Sequence, residues 1–309
     1  MRDVLIDVLG NGPLYESTVR LAAVLACAAV GEWVAQRAGT INLSLEAMLL
    51  AGHFAAAIAF TGWGNVPVAL AVGAAAGTAV AGVQAQLSHR LAADQFGIGL
   101  TLNVLLLGVA AYVHPRLDLD TRLAATLRIP VLADIPVVGP ALFAQRWPLY
   151  AVYLLVPAAW WLVHRTTWGL EVRASGEDPQ AADVSGIDVN ARRRQAILFA
   201  GATSGLGGGI YLFGQVGWFE SGNIGGKGII AIAAVIFGGW RLRGAVAGCL
   251  LFGYVDALRL NLPLILGYGL NGQLLASLPF VATLVVVAAF VRRTRQPAAL
   301  ARPFVRGLK

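Results

Sequence analysis

Two polar side chains, Asn42 and Glu46, interrupt the apolar stretch between residues 31 and 54. They are four residues apart, so they share one face if a helix has begun by that point. A carboxylate inside a membrane span is costly unless it faces a cavity or a partner. The pair therefore indicates hydrogen-bonding chemistry of one of two kinds. It either caps a helix end and joins neighbouring helices, or it forms a wall of a polar path.

Asn103 is a lone amide in the apolar stretch GIGLTLNVLLLG. Polar residues in such stretches usually form hydrogen bonds between helices. The same two interpretations, structural bonding or lining of a path, therefore apply to Asn103.

The stretch GNIGGKG, residues 222–228, is only superficially similar to a phosphate-binding loop. Ser221 stands where the first glycine is required, and Gly228 replaces the Ser or Thr that would bind magnesium. The sequence also lacks a nucleophile with a partnering base, and its histidines are not spaced as metal ligands. We therefore predict no catalytic residue, no metal site and no ATP hydrolysis by this chain.

The longest polar passage of the chain, residues 165–194, contains the signals of a short capped helix. Asp178 suits the N-cap, because its carboxylate can accept from free backbone N–H groups. Pro179 suits the first helical position, and Gly186 suits the left-handed residue that ends a helix. A helix of about two turns is marginal by itself in water. We therefore expect it to dock against a partner protein.

Membrane spans are the elements that must position these residues. The 309-residue chain is 58% hydrophobic and 13% charged, with a mean hydropathy of +0.71. A soluble protein would have about a quarter charged residues. The composition predicts a single all-α, polytopic transmembrane domain over residues 1–309. Its net charge of +7 then relates to membrane orientation, and we expect no nucleic-acid partner.

The apolar runs predict about eight to ten transmembrane helices, one of them broken or short. The weakest run, at 222–240, has 13 apolar residues after a glycine-rich segment. We expect it to cross the membrane with a non-helical outer half. The nine runs are 18–36, 43–61, 66–88, 96–114, 148–164, 195–216, 222–240, 244–262 and 272–291.

Arginine placement predicts the orientation of these spans, because cytoplasmic segments carry an excess of Lys and Arg. The basic tail at 292–309 and the passage at 165–194 are arginine-rich, which places both in the cytoplasm. Counting back along the spans places the loop at 115–147 and the N-terminus outside.

Glycines spaced four apart recur in the run GATSGLGGG, residues 201–209, and at Gly73 and Gly77. Small residues at this spacing let two helix backbones approach closely. We predict helix packing there and no nucleotide binding.

Several stretches resemble a known family. GTINLSLEAMLLAG (39–52), the passage at 168–194 and the stretch at 217–258 are similar to permease subunits of ABC importers. The branch they resemble handles branched-chain amino acids, simple sugars and nucleosides. DQFGIGLTLNVLLLG (94–108) and WGLEVRASGEDP are most similar to the second permease of nucleoside-type importers. Ala47, where the family usually has glycine, is one departure.

This resemblance implies a transport subunit, not an enzyme, that forms the translocation path for nucleosides in the bacterial inner membrane. The expected partners are a second, different permease subunit, an ABC ATPase and an extracytoplasmic substrate-binding protein. ATP and magnesium would be bound by the ATPase, so no cofactor is expected in this chain.

The resemblance also assigns contact with the ATPase to a set of residues in the coupling passage at 165–194. They are Glu177, Asp178, Pro179, Ala181, Ala182, Gly186 and Ile187. Two further hypotheses concern the membrane and the outer side. Asn42, Glu46 and Asn103 line or support the path, while the 115–147 loop and Trp218, Phe219 and Glu220 meet the binding protein.

Two alternatives remain open. The same importer class also handles simple sugars, such as ribose-like solutes. A different class, an ATP-independent secondary transporter, would need charged residues at mid-membrane for ion coupling. Asp256 and Arg259 are the one acid–base pair within a span, and at three residues apart they are expected to pair with each other.

Overall fold

The computed structural model describes residues 12–91, 93–136, 138–266 and 296–304, with five positions between 275 and 282. Eleven α-helices and two short strands make up most of these residues. The strands β1 (Thr126–Arg128) and β2 (Ala144–Arg146) pair antiparallel. The helices are α1 (Gly12–Arg37), α2 (Leu45–Trp63), α3 (Val66–His89), α4 (Gln95–Val113), α5 (Val138–Phe143), α6 (Tyr150–Arg165), α7 (Thr167–Glu177), α8 (Pro179–Val184), α9 (Val189–Tyr211), α10 (Lys227–Phe237) and α11 (Leu242–Leu266).

Six of these helices, α1 to α4, α9 and α11, are long and apolar enough to cross a membrane. They coincide with six of the nine expected spans. A π-helical turn, Leu212–Val216, extends α9 by a further five residues. The chain is therefore an all-α, polytopic membrane protein.

The other three expected spans differ from these six. The run at 148–164 forms α6, which has 16 residues. The run at 222–240 forms α10, which has only 11 residues and follows the non-helical segment 217–226. The run at 272–291 lies outside the described residues, apart from its five isolated positions.

Helices α1 and α9 form the centre of the bundle. Their most apolar windows are 89% and 78% buried, against 28% for α3 and 17% for α4. Small residues allow α9 to pack closely against its neighbours. A Cβ at Gly205 of α9 would meet the backbone of Gly73 and Gly77 in α3. The close packing that the glycine spacing predicts is confirmed.

The sequence predicted a loop with one short helix at 165–194, and the structure differs from that prediction. The passage contains α7 and α8 and the first turns of α9. Helix α7 begins where it does because the Thr166 hydroxyl accepts from the backbone N–H of Gly169 at 3.1 Å, which caps its first turn.

Most of the arginines that the structure describes lie at one end of the bundle, which we call the basic end. It carries the end of α1 with Arg37, the start of α9 with Arg193, and the tail at 296–304. These three parts are joined there by hydrogen bonds. The segment 115–147 lies at the opposite end, where Ala124 donates its backbone N–H to the carbonyl of Phe213 at 2.8 Å.

Candidate functional site

Residues 38–44 enter the helix bundle between α1 and α2 without forming a helix. Irregular backbone at membrane depth is tolerated only where protein groups or water satisfy it. Here the backbone N–H of Ile41 donates to the side-chain carbonyl of Gln95 at 3.1 Å. The backbone N–H of Asn42 donates to the Glu32 carboxylate at 3.3 Å. Side chains from α1 and α4 therefore replace the missing helical hydrogen bonds.

Asn103 belongs to the same arrangement. Its amide donates to the Leu43 carbonyl at 2.8 Å, and its carbonyl accepts from the backbone N–H of Ala47 at 2.9 Å. Asn103 lies eight residues into α4, which is about 12 Å from the helix start. Its side chain thus satisfies backbone groups at the start of α2, well inside the bundle.

Asn42 and Glu46 do not share a helix face, because α2 begins only at Leu45. The Asn42 side chain is buried, donates to the Met48 sulfur at 3.2 Å and accepts from the Ser44 hydroxyl at 2.9 Å. The Ser44 hydroxyl is also in hydrogen-bond contact with the side-chain amide of Gln84 in α3. Asn42 is thus held within a buried polar group, while Glu46 points towards a different helix.

The Glu46 carboxylate meets the start of α10. It accepts from the backbone N–H of Gly226 at 2.6 Å and from that of Gly228 at 3.2 Å. The first N–H groups of a helix lack partners within it and carry partial positive charge. Gly228 lies so close that a Cβ there would meet the Glu46 backbone. Two interrupted elements, the starts of α2 and α10, therefore meet through one carboxylate inside the bundle.

Five rings gather between the starts of α2 and α10 and the end of the bundle opposite the basic end, and we call them the aromatic cluster. They are His53, Phe54, His114, Tyr211 and Phe219. The ring of Phe219 lies 4.6 Å from that of Phe54 and 5.0 Å from those of His53 and His114, measured between centroids. His53 and Tyr211 are 5.4 Å apart.

The three residues expected to meet a binding protein fall into two groups. Trp218 and Glu220 are exposed at the end of the bundle opposite the basic end, whereas Phe219 between them is only 4% exposed. The backbone turns sharply just before them, since Gly217 has a φ of +80°. In this conformation only Trp218 and Glu220 present their side chains to a partner.

The short helix at the basic end has the capping that the sequence predicts. The Asp178 carboxylate accepts from the backbone N–H groups of Gln180 and Ala181, at 3.1 and 3.0 Å. Gly186 has a φ of +87°, which favours glycine at this position.

The seven predicted coupling residues differ in exposure. Glu177, Asp178, Ala181 and Gly186 are exposed, while Ala182 is buried on the inner face of α8. Val184 was not predicted, yet it is 90% exposed at the end of α8. An apolar side chain between two caps is a signal in the sequence that could have indicated it.

A buried arginine ties this helix region to the rest of the bundle. Arg193 donates to the carbonyls of Ala38, Ser175 and Arg302, at 3.1, 3.3 and 2.7 Å. Arg37 and Glu177 add an ion pair at 3.9 Å. The end of α1, the end of α7 and the tail are thus fixed to one side chain of α9.

A cleft of about 420 Å³ opens beside α8 at the basic end. The end of α3, the turn from α8 to α9 and the tail contribute its walls, which include Arg90, Ile187, Arg194 and Phe304. The predicted coupling residues Gly186 and Ile187 therefore border a concave surface.

The sequence analysis did not identify the buried polar residues that contact segment 38–44 or belong to the aromatic cluster. Gln84 and Gln95 bond to the 38–44 segment, and His53 is fully buried in the aromatic cluster. A glutamine in an apolar run is a signal for such a role, but the sequence does not show which distant backbone group it meets.

Residues 14–290 match the protein family described as "Branched-chain amino acid transport system / permease component". The chain is 32% identical to a putative glucose ABC transporter permease of Haloferax volcanii, covering 91% of this chain and 92% of that protein.

Two nucleoside permeases are similarly related. A guanosine ABC transporter permease of Bacillus subtilis is 30% identical, over 94% of this chain and 96% of its own length. A nucleoside ABC transporter permease of Lactococcus lactis is 31% identical, over 87% and 89%. No solved structure shows significant similarity to the chain.

Proposed function

The chain belongs to the family of branched-chain amino acid transport system permease components, and we propose that it forms the membrane path for nucleosides in an ATP-driven importer. In that role it is a transport subunit, and a separate ABC ATPase hydrolyses ATP. A second permease, different from this one, and an extracytoplasmic binding protein complete the complex. The chain itself needs no cofactor.

The observation that carries this proposal is the attachment of α8 to the bundle. A capped helix of six residues projects exposed side chains at the basic end, beside a cleft. Arg193 and the pair of Arg37 with Glu177 join its base to α1 and α9. A push on α8 by an ATPase would therefore reach the two central helices directly. We assign coupling to α7 and α8 for this reason.

The basic end also determines the orientation that we propose for the chain in the membrane. The basic end faces the cytoplasm, because positively charged segments are retained there. We propose that α6 and α10 cross the bacterial inner membrane together with the six long helices. The 115–147 segment, Trp218 and Glu220 then face the binding protein. Residues 1–309 form one permease domain.

A neutral polar solute fits the charges along the bundle. Glu46 is occupied by the start of α10, and Asp256 accepts from Arg259 of the same helix at 2.8 Å. The pair of Asp256 with Arg259 forms as the sequence predicts. The acid–base pair that a secondary transporter would use for ion coupling is therefore already engaged, which favours the ATP-driven class.

Nucleosides and simple sugars are the two candidate solutes. Two of the relatives described above are named for guanosine or nucleosides, and one is named for glucose. Identities of 30–32% do not separate them. The nucleoside is our first choice because of the resemblance of 94–108 to nucleoside permeases. A sugar is the second because of the glucose relative.

Uptake by the complete importer tests the proposal. Cells expressing the chain with its ATPase, second permease and binding protein would be given labelled guanosine, ribose and glucose. The control carries an ATPase with an inactivated Walker A lysine. We expect guanosine uptake that disappears in the control. Uptake of ribose or glucose without guanosine would show that the importer carries sugars. Uptake that persists in the control would overturn ATP-driven import.

A further inference from the structure

The aromatic cluster has a feature that packing alone does not require. The Nδ1 atom of His53 lies 3.2 Å from the carbonyl oxygen of Gly208. A carbonyl only accepts, so Nδ1 carries the hydrogen and Nε2 of the neutral ring is an acceptor. That Nε2 atom is buried and makes no hydrogen bond to any residue that the structure describes. A buried acceptor without a donor is unfavourable unless a ligand supplies one.

The cluster also has the shape of a stacking site. Phe219 lies against three rings contributed by α2 and by the turn that follows α4, at 4.6 to 5.0 Å between centroids. Nucleobases stack on aromatic side chains whichever base is present, because every base has a π-face. A base in place of the Phe219 ring would meet the tilted rings of His53 and Phe54, and it would make an edge-to-face contact with His114.

Phe219 sits on a segment that is anchored at both sides. Thr121 donates to the carbonyl of Gly217 at 2.8 Å, and Tyr211 donates to that of Asn223 at 3.0 Å. Between these anchors, Trp218, Glu220 and Gly222 are exposed. Displacement of the Phe219 ring would therefore require a movement of residues 218–222 between these two anchors.

Resting on the proposed function, we propose that the aromatic cluster binds the planar base of a nucleoside as it enters, and that Phe219 occupies the base position in this conformation. His53 accepts a hydrogen bond from an N–H of the base. Phe54 supplies the stacking face, and His114 meets the base edge to face. Arrival of the base displaces Phe219 towards the surface beside Trp218.

Uptake by the reconstituted complete importer in proteoliposomes tests the residues. We expect His53→Leu and Phe54→Leu each to lower guanosine uptake about tenfold or more. His53→Gln keeps a side-chain acceptor and should recover part of the loss. Phe60→Leu is the matched control for Phe54→Leu, because Phe60 lies on the same helix but packs against Phe213.

Thiol labelling tests the displacement of Phe219 independently of transport. In the complete complex, Phe219→Cys is labelled with N-ethylmaleimide, with and without binding protein loaded with guanosine. Cys27 and Cys249 are both buried, so background labelling is low. We expect guanosine to raise the labelling rate at least fivefold, and ribose to leave it unchanged. Gly222→Cys, which is exposed in this conformation and is not assigned to the binding-protein surface, serves as the control that labels in both states.

The outcomes separate the two proposals. If the wild-type complex imports no nucleoside, the proposed function and this inference both fail. If it imports guanosine but Phe54→Leu behaves as Phe60→Leu does, or His53→Leu has no effect, only the base site is overturned. Labelling of Phe219→Cys that guanosine does not change would overturn the displacement in the same way.

Discussion

The carboxylate of Glu46 at the start of α2 binds the backbone N–H of Gly228 at the start of α10, at 3.2 Å. Both helices begin inside the bundle, so both present unpaired backbone N–H groups there. One acidic side chain satisfies part of this need in α10, and Asn103 does so in α2. The polar residues that a transport path would use are therefore also the residues that hold two interrupted helices in place.

Replacing the Glu46 carboxylate should destabilise this junction. Hydrogen bonds to charged groups contribute about 1.5–3 kcal/mol each, so we expect Glu46→Ala, which loses two of them, to lower the unfolding free energy by about 3–6 kcal/mol. Glu46→Gln retains one acceptor and should lose less. Thermal denaturation in detergent measures the change, and Glu220→Gln on the outer surface is the control. Equal melting temperatures for Glu46→Ala and wild type would contradict a capping role.

Close packing between α3 and α9 predicts different effects for two glycines. A Cβ at Gly205 would meet backbone atoms of Gly73 and Gly77, whereas a Cβ at Gly108 of α4 would have open space. Gly205→Ala should cost about 1–3 kcal/mol through overpacking. Gly108→Ala should be neutral or slightly stabilising, since alanine favours helix more than glycine does. Melting temperatures in detergent compare them, and similar losses in both would exclude steric packing as the cause.

Removal of Arg193 should loosen the basic end locally. Arg193→Ala leaves the carbonyls of Ala38, Ser175 and Arg302 without this donor, at about 1–3 kcal/mol for each that stays buried and unpaired. Hydrogen exchange at the amides of Ala299 and Ala301 would report the change. These amides bond to the carbonyls of Gly176 and Gly39.

The matched control for Arg193 is Arg194→Ala, which removes the neighbouring arginine from the wall of the cleft. We expect amide exchange at 299 and 301 to accelerate in Arg193→Ala and to stay near the wild-type rate in Arg194→Ala. Protection that is unchanged in Arg193→Ala would show that the tail is held by other contacts.

A charge at the tip of α8 should impair coupling without unfolding the protein. Val184 is 90% exposed, so Val184→Asp should change the unfolding free energy by less than about 0.5 kcal/mol. A carboxylate in a contact with the ATPase would be desolvated, and we expect substrate-stimulated ATP hydrolysis to fall at least tenfold. Val184→Thr keeps the size of the side chain without adding a charge, and it should leave stimulated hydrolysis near the wild-type level. Normal stimulation in Val184→Asp would remove α8 from the coupling surface.

Sequence patterns were sufficient to predict structural features whose physical cause lies within a few neighbouring residues or a single run. Asp178, Pro179 and Gly186 lie within nine positions and define a capped helix wherever the chain places it. Asp256 and Arg259 pair because three residues bring them to one helix face. The apolar runs located the six long helices for the same reason, since length and composition are properties of each run alone.

Tertiary structure alone decided the contacts between distant parts of the chain. Glu46 is separated from its partner Gly228 by most of the sequence, so its pattern allowed both a cap and a path wall. The sequence grouped Phe219 with Trp218 as a contact for a partner, whereas in the structure the Phe219 ring packs against Phe54 of α2. A hydrophobic pattern shows that a residue prefers burial or exposure, but only the packing of helices determines which backbone N–H or ring it meets.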